Sequence, residues 1–158
     1  MRTEICDRLG IEFPLFAFSH CRDLVAAVSK AGGYGVPGAP AFAPEQREQD
    51  LSWVPEGLEG PTIAPGLGVD QMGPAQVHQA LQHPVSMLVN ALGPPPDYAV
   101  DAAHSNGVLV GALCGSPRHA ERNVERGVDV LIAQGTEAGG HCGGISTMVL
   151  VPEVGDAV

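Results

Sequence analysis

The sequence predicts an α/β fold in which parallel strands alternate with helices. Three near-continuous apolar runs end in glycine or a glycine-containing turn and recur at intervals of roughly 20 residues, which suits a βα unit. They cover residues 85–92, 108–115 and 128–135. Strands that are apolar on both faces indicate a parallel sheet with both faces covered by helices. From the pattern alone, a (β/α) barrel and a doubly wound sheet both remain open.

Helices are predicted between these runs, at residues 96–105 and 117–126, because each segment opens with proline in its first turn. The first half is less regular. It predicts a strand at 13–18, a helix at 22–30, a strand at 34–36 and helices at 44–53 and 76–82. Residues 55–75 show no convincing strand or helix and are interpreted as an irregular, linker-like segment. At the end of the chain, residues 148–158 begin another apolar segment and then stop.

Composition excludes several classes of function. The chain has 158 residues and a formal net charge of −10, so a phosphate backbone would be repelled and nucleic-acid binding is not expected. No apolar run reaches the roughly 18 residues of a membrane span, and we expect one domain without a membrane partner. The four cysteines have no CxxC or Cys/His ligand spacing, which predicts no metal site. With no export signal, we expect reduced thiols and a cytoplasmic protein.

Residues 127–144, GVDVLIAQGTEAGGHCGG, are the most informative stretch. An apolar strand leads directly into a loop with five glycines and one histidine, His141. Glycine-rich loops at strand ends let backbone amides approach a ligand closely. An imidazole in such a loop can exchange a proton near neutral pH. The stretch therefore predicts a cofactor site.

The residues AQGTEAGGH (133–141) resemble the central motif of the nitronate monooxygenase family, once called 2-nitropropane dioxygenases. Residues 6–20 and 26–36 resemble that family's first βαβ unit, and residues 89–96 and 115–135 resemble its fourth to sixth units. The resemblance implies an FMN-dependent (β/α)8 barrel of the TIM type that oxidises alkyl nitronates with O2. It also implies a partial barrel here, with about six parallel strands, because no residues match strands seven and eight. Those strands usually supply the FMN phosphate site.

The resemblance carries particular roles onto this chain. His141 matches the histidine beside the reacting carbon, as a base or as a hydrogen-bond partner of the nitro group. The residues matched to flavin contacts are Ala17, Phe18, Asp70, Gln134, Gly139 and Gly140. Nitronate and O2 are the implied small-molecule partners. An unclosed barrel edge also predicts self-association of the chain.

Simpler roles stand beside these. His141 is alternatively a loop histidine capping a carbonyl, Gln134 a turn-stabilising amide, and Glu137 either a second acid or a cap. The remaining alternatives concern a reactive or bystander thiol at Cys142, a pocket or surface position for His20, and a surface or capping position for His119. For the whole chain, the alternatives are an FMN-dependent enoyl-acyl-carrier-protein reductase, an NADH:quinone reductase and a non-catalytic truncated fragment.

Overall fold

The structure is a computed structural model that describes residues 2–38, 66–68 and 72–158. In these ranges strands and helices alternate along most of the chain. The strands are β1 (Phe16–Ser19), β2 (Tyr34–Pro37), β3 (Gly66–Gly68), β4 (Met87–Asn90), β5 (Leu109–Cys114) and β6 (Val130–Ala133). The helices are α1 (Glu4–Leu9), α2 (Arg22–Lys30), α3 (Pro74–Ala80), α4 (Asp97–Ser105), α5 (Pro117–Glu125) and α6 (Thr147–Ala157).

The chain divides into two compact units, Met1–Leu88 and Val89–Val158. In the first unit, β1 and β2 are parallel, with Phe16 opposite Tyr34. Helix α2 has the predicted bounds and buries one face against them. A Cβ added at Gly35 would lie 2.5 Å from the carbonyl oxygen of Val25. The backbone of β2 therefore packs directly on α2, which requires glycine at this position.

Two elements of the first unit were not predicted. Helix α1 precedes the first strand and ends at Gly10, whose φ of 69° lies in the left-handed region that glycine adopts readily. Strand β3 lies inside the segment for which the pattern predicts no strand. That prediction was therefore wrong for Gly66–Gly68. The predicted helix at 44–53 lies outside the described residues, and the linker-like character of most of 55–75 stays a prediction, as does the single domain.

The second unit follows the predicted alternation closely. Strand β4 runs into this unit, where β4, β5 and β6 lie side by side in chain order. Strands β5 and β6 are parallel, with Gly111 opposite Val130. A cluster of buried side chains packs under them, and it consists of Cys114, Ala120, Leu150 and Val154. This cluster fixes the ends of β5 and β6, from which the loops of the site extend.

Helix α6 corrects the prediction for the last segment. The sequence indicates only the beginning of an apolar element at residues 148–158, whereas the structure forms an eleven-residue helix with Pro152 inside it. Leu150 and Val154 are four residues apart and buried, so they form its inner face. Among the described residues, no helix is long and apolar enough to cross a bilayer.

Candidate functional site

A pocket of about 190 Å³ lies within the second unit. It is placed where the loops leave the carboxyl ends of β4, β5 and β6, the usual position of ligand sites in α/β folds. The loop after β4 and the end of β5 provide an apolar part. The lining residues are Ala91, Leu92, Gly93, Leu113, Cys114, Gly115, His119, Gln134, His141, Cys142 and Gly143.

Gln134 organises the loop that follows β6. Its backbone N–H donates to the carbonyl oxygen of Cys114 at 2.9 Å, which continues the pairing with β5. Its side-chain Nε2 donates to the carbonyl oxygen of Gly139 at 3.0 Å and thereby closes the loop. Gln134 is therefore a turn-stabilising amide that also lines the pocket. The flavin contact predicted for it stays a prediction.

Two glycine contacts hold this loop in place. A Cβ added at Gly143 would collide with the carbonyl oxygen of Gly115 and lie 3.1 Å from its carbonyl carbon. A Cβ at Gly135 would collide with Thr147 at the start of α6. The first contact draws the His141 loop against the start of α5. The second fixes the other side of the loop to α6.

Gly139 and Gly140 differ from these two glycines, because a Cβ at either position would have no protein atom within 4 Å. Gly140 has a φ of 82°, which by itself favours glycine. Gly139 has neither a positive φ nor a close neighbour among the described residues. The protein's own packing thus gives no reason for glycine at 139, and the same holds for Gly144.

The ring of His141 is exposed on the pocket wall. It forms no hydrogen bond with any residue that the structure describes, so the alternative role of capping a carbonyl has no contact to support it. A ring without a structural bond keeps both nitrogens available to a ligand. Its predicted catalytic role is consistent with this position and stays a prediction.

His119 also lines the pocket, which the sequence did not indicate. It lies in the first turn of α5, where its backbone N–H donates to Ser116 Oγ at 3.3 Å. Sequence reasoning expected a surface or capping residue. The ring is exposed, but the start of α5 brings it to the same pocket as His141. Only the tertiary arrangement reveals this, because no sequence motif joins the two positions.

Glu137 acts as a cap in the structure. Its Oε2 accepts hydrogen bonds from the backbone N–H and the hydroxyl of Thr147, both at 2.9 Å. The hydrogen bond from the Thr147 backbone, above all, lowers the pKa of the Glu137 carboxyl. Thr147 begins α6, so the carboxylate lies at a helix N-terminus, where negative charge is favourable. This arrangement favours the capping alternative over a second acid.

The two cysteines of the pocket differ in exposure. Cys114 is buried, and burial raises the pKa of its thiol, so it remains neutral. Cys142 is exposed, and its Sγ lies 4.0 Å from the carbonyl oxygen of Thr136. Neither position gives the thiol a cationic partner among the described side chains. The lack of such a partner favours the bystander alternative for Cys142 over a reactive thiol.

The remaining predicted residues do not belong to the second unit. Ala17 and Phe18 lie on β1 in the first unit, where Ala17 is opposite Gly35 and Phe18 is 45% exposed. His20 also lies there, with Nδ1 3.0 Å from the carbonyl oxygen of Gly38. Asp70 lies outside the described residues. Their predicted contacts with a flavin stay predictions.

Asn90 is a candidate residue that sequence reasoning missed. It ends β4, is 2% exposed and donates from Nδ2 to the carbonyl oxygen of Gly93 at 2.7 Å. Its Oδ1 is buried without a partner among the described residues. An unpaired buried acceptor costs about 1–3 kcal/mol, so natural proteins seldom keep one without a reason. The signal in the sequence was an amide at the end of an apolar strand.

The arrangement of strands, loops and pocket defines a class: an α/β protein of the barrel type with its ligand site at the carboxyl ends of parallel strands. The family model described as nitronate monooxygenase matches residues 67–158, more than half of the chain. The chain therefore belongs to the nitronate monooxygenase family. This is an enzyme family of oxidoreductases, as the resemblance implied.

Individual relatives agree with this assignment. A Mycobacterium tuberculosis protein named as a monooxygenase is 39% identical over 214 residues, which include 100% of this chain and 57% of the relative. A probable nitronate monooxygenase of Staphylococcus saprophyticus is 23% identical and is covered to 59%. The chain thus spans a little over half the length of these curated relatives. The first alignment is longer than the chain, so that relative has additional residues inside the aligned region.

Solved structures show the same fold. FabK from Thermotoga maritima matches with a TM-score of 0.87 and 29% identity, covering 100% of this chain and 52% of FabK. Nitroalkane oxidase from Streptomyces ansochromogenes matches in fold with a TM-score of 0.81 and 23% identity, covering 99% of this chain and 58% of the oxidase. These matches confirm the predicted fold class, a partial (β/α)8 barrel with parallel strands.

Proposed function

We propose that this chain forms part of an FMN-dependent oxidoreductase that oxidises alkyl nitronates with O2. The observation that carries the proposal is the pocket at the carboxyl ends of β4–β6. It is lined by Gln134 and by His141, whose ring forms no hydrogen bond with a described residue. Membership of the nitronate monooxygenase family supports the reaction class. The activity of the whole protein is part of this proposal.

The residues present fit a flavin ring. Gly139 leaves a surface on which no protein atom lies within 4 Å of a built Cβ, so a flat ring can approach the backbone closely. Asn90 contributes an unpaired acceptor at the end of β4, and flavin rings carry an N–H that such an acceptor suits. The fold alone requires neither the glycine at 139 nor the amide at 90, and a bound flavin ring would use both.

Bound FMN would supply the two-electron oxidation of the nitronate and the reaction with O2. The chain's residues position the reactant and manage charge. A nitronate already carries negative charge on its oxygens, and a His141 N–H directed into the pocket would donate to them or exchange a proton. Gln134 keeps this loop closed through Gly139, so the ring is presented on a fixed backbone.

The size and lining of the pocket suit a small substrate. About 190 Å³ corresponds to roughly six water-sized groups. Leu92 and Leu113 provide apolar contacts for a short alkyl chain. Hydrophobic contacts of this kind discriminate weakly between chain lengths, so the pocket favours small nitronates as a class.

The first test is FMN binding by the purified chain, followed by quenching of flavin fluorescence. We expect saturable but weak binding, and we expect Gly139→Val to weaken it about tenfold or more, because a branched side chain would occupy the space beside the backbone. Gly144→Val is the matched control, since Gly144 also has open space around a built Cβ. No saturable binding, or equal binding by both variants, would contradict the proposed site.

The second test separates the reactions. Nitronate-dependent oxygen uptake in the presence of FMN would support the proposal, whereas NADH oxidation with quinone, or NADH-dependent reduction of an enoyl thioester, would support the alternatives. A flavin-bound chain without any of these activities would favour the non-catalytic fragment. A yellow, monomeric preparation with stoichiometric flavin would contradict the expectation that this chain binds FMN weakly.

A further inference from the structure

The His141 loop, which comprises residues 135–146 and joins β6 to α6, is closed at its base by its own backbone. The N–H of Thr136 donates to the carbonyl oxygen of Ile145 at 3.0 Å, and the N–H of Ala138 donates to that of Gly135 at 3.1 Å. These bonds shape the loop without tying it to a helix or strand. Its place in the unit is set by contacts with the neighbouring elements.

The carboxylate of Glu137 provides a hydrogen-bonded link from this loop to α6. Its Oε2 accepts from the backbone N–H and from the hydroxyl of Thr147, both at 2.9 Å. Thr147 is the first residue of α6 and lies ten residues further along the chain. Hydrogen bonds to an ionised acceptor are stronger than those between neutral groups. One side chain therefore connects the loop to the helix.

The start of α6 is a firm support for this link. On the inner face of the helix, Leu150 and Val154 are buried in a cluster with Cys114 and Ala120. The N-cap, Ser146, makes no side-chain capping hydrogen bond, so the first turn of α6 can take an acceptor from outside the helix. The carboxylate supplies this acceptor, and the helix N-terminus in turn stabilises its negative charge.

The ring of His141 has no anchor of its own. It is exposed and forms no hydrogen bond with a residue in the described part of the chain. Before the ring, hydrogen bonds hold the loop from two sides. Gln134 Nε2 donates to the carbonyl oxygen of Gly139 and ties the loop to the end of β6, and Glu137 ties it to α6. Without Glu137, only the hydrogen-bonded link to β6 would remain on this side of the ring.

We infer that Glu137 is a positioning residue for His141, because its carboxylate holds the His141 loop on the first residue of α6 and so keeps the imidazole ring at the pocket. Glu137 is not among the residues that line the pocket, so it acts through the ring and not on the reactant. The inference rests on the proposed function for the task of the ring. The link between loop and helix, however, depends on neither flavin nor substrate.

Amide hydrogen exchange of the full chain, without flavin, tests the link. The N–H groups of Thr136 and Ala138 report on the loop, because both of their hydrogen bonds lie inside it. We expect Glu137→Ala to speed their exchange about tenfold or more, as local opening of the loop predicts. The N–H of Gln134, which is bonded to the carbonyl oxygen of Cys114 on β5, should exchange at the original rate.

The first turn of α6 separates positioning of the loop from simple helix capping. The N–H groups of Val149 and Leu150 donate to the carbonyl oxygen of Ser146, so their exchange reports on the start of the helix. Faster exchange at these two amides alone would make Glu137 a helix cap and overturn the inference. Unchanged exchange in both the loop and the helix would overturn it as well.

Conservative variants show what carries the link. Glu137→Gln keeps an acceptor of the same length but loses the charge, so its loop exchange should lie between that of the original chain and that of Glu137→Ala. Thr147→Val removes the hydroxyl donor and should speed exchange in the loop, whereas Thr147→Ser keeps the donor and should not. Glu153→Gln, at an exposed position later in the same helix, is the control and should have no effect.

Circular dichroism checks that each variant is folded. Where Glu137→Ala does not fold, Glu137→Gln and Thr147→Val decide the question. Loop exchange in both of these variants at the rate of the original chain would overturn the inference.

Turnover tests whether Glu137 acts through the ring. With FMN and a nitronate, Glu137→Ala should lower kcat about tenfold or more without a change in FMN affinity, because a small displacement of a catalytic group slows the reaction strongly. In the His141→Ala background the same substitution should have no further effect, since the two residues act as one unit. An effect of Glu137→Ala that is equally large without the ring would overturn the inference.

The failure of this inference differs from failure of the proposed function. If the chain oxidises nitronate and Glu137→Ala changes neither loop exchange nor rate, the inference is overturned and the proposed function stands. If the chain neither binds FMN nor oxidises nitronate, but the loop amides open in Glu137→Ala, the link is supported and the proposed redox function alone is lost.

Discussion

The proposed chemistry depends on the imidazole ring of His141. We expect His141→Ala to slow nitronate oxidation by about 10²-fold or more, the usual contribution of a positioned acid or base. FMN affinity should be largely kept, because the ring forms no bond that holds the loop. Oxygen uptake measures the rate, and flavin fluorescence measures the affinity.

His78→Ala is the control for this substitution, since His78 is an exposed helical histidine of the first unit. Turnover that is unchanged in His141→Ala would reduce His141 to a loop residue. A parallel loss of FMN binding and rate would instead indicate that the ring holds the cofactor.

At the residue scale, sequence reasoning predicted site positions that lie in one contiguous motif, and two of them, Gln134 and His141, line the pocket. Gln134 and His141 belong to one strand and its following loop, so their proximity follows from local geometry. His119 and Asn90 were missed because each becomes significant only through tertiary structure. The start of α5 places His119 at the pocket, and burial leaves Asn90 Oδ1 without a partner. No periodicity or spacing in the sequence contains that information.

At the scale of elements, the start of α6 depends on Glu137. Hydrogen bonds from Thr147 hold the pKa of the Glu137 carboxyl below the ordinary glutamate value of about 4.3. Because the folded pKa is the lower one, the charge stabilises the fold above the unfolded pKa, and this contribution is lost as the pH falls through the folded pKa. Glu137→Gln should therefore be less stable than the original chain at pH 7, with the difference vanishing in acid.

Urea unfolding at neutral pH and at a pH below the folded pKa measures this difference. Glu153→Gln is the control, because Glu153 is exposed later in the same helix. A difference that is equal at both pH values would show that the Glu137 side chain acts through its shape and not through its charge.

The contact between Gly143 and Gly115 joins the His141 loop to α5. Gly143→Ala should displace the loop, since the added Cβ collides with a backbone carbonyl that cannot rotate away. We expect a loss of about 1–3 kcal/mol in the free energy of unfolding, the usual cost of overpacking.

Gly144→Ala is the matched control one residue further on, where a built Cβ has no neighbour within 4 Å. Denaturant unfolding gives the stability of both variants. Equal stability of the two variants would mean that the loop shifts freely and that the glycine contact does not position it.

The strength of the local sequence pattern explains which helices and strands were predicted. Strands β4–β6 and helices α4 and α5 were predicted to within a few residues, because their apolar runs and first-turn prolines are strong local signals. Helix α1 has six residues, and β3 has three, two of them glycine, so neither has a pattern long enough to recognise. The predicted strands β4–β6 were one or two residues too long at each end, because apolar residues continue into the turns.

At the scale of the molecule, the α/β class followed from the pattern, whereas the barrel followed from the family resemblance. The alternation of apolar runs and helices fits both barrels and doubly wound sheets, since both bury a parallel sheet under helices. The match to FabK over the whole chain decides between them. The comparison also shows that the chain spans about half of that protein.

The outer face of α6 should make this chain self-associate. Met148 is 85% exposed and Val151 is 52% exposed, and the two are three residues apart on one helix face. Fully burying an exposed Met or Val side chain is favourable by about 1.5–3 kcal/mol, and Val151, which is already half-buried, would gain about half of that. The net charge of −10 opposes association, and salt screens that repulsion. Sedimentation velocity should therefore show a dimer fraction that increases with both protein and salt concentration.

Met148→Gln combined with Val151→Gln should weaken this association about tenfold or more, since both changes remove apolar area from the same face. Leu24→Gln is the matched control: Leu24 is 48% exposed on α2, so it tests whether any exposed apolar residue has the same effect. If association weakens as salt is added, charge pairing holds the copies together and the apolar face of α6 does not. If the control weakens it equally, the contact is distributed over the surface.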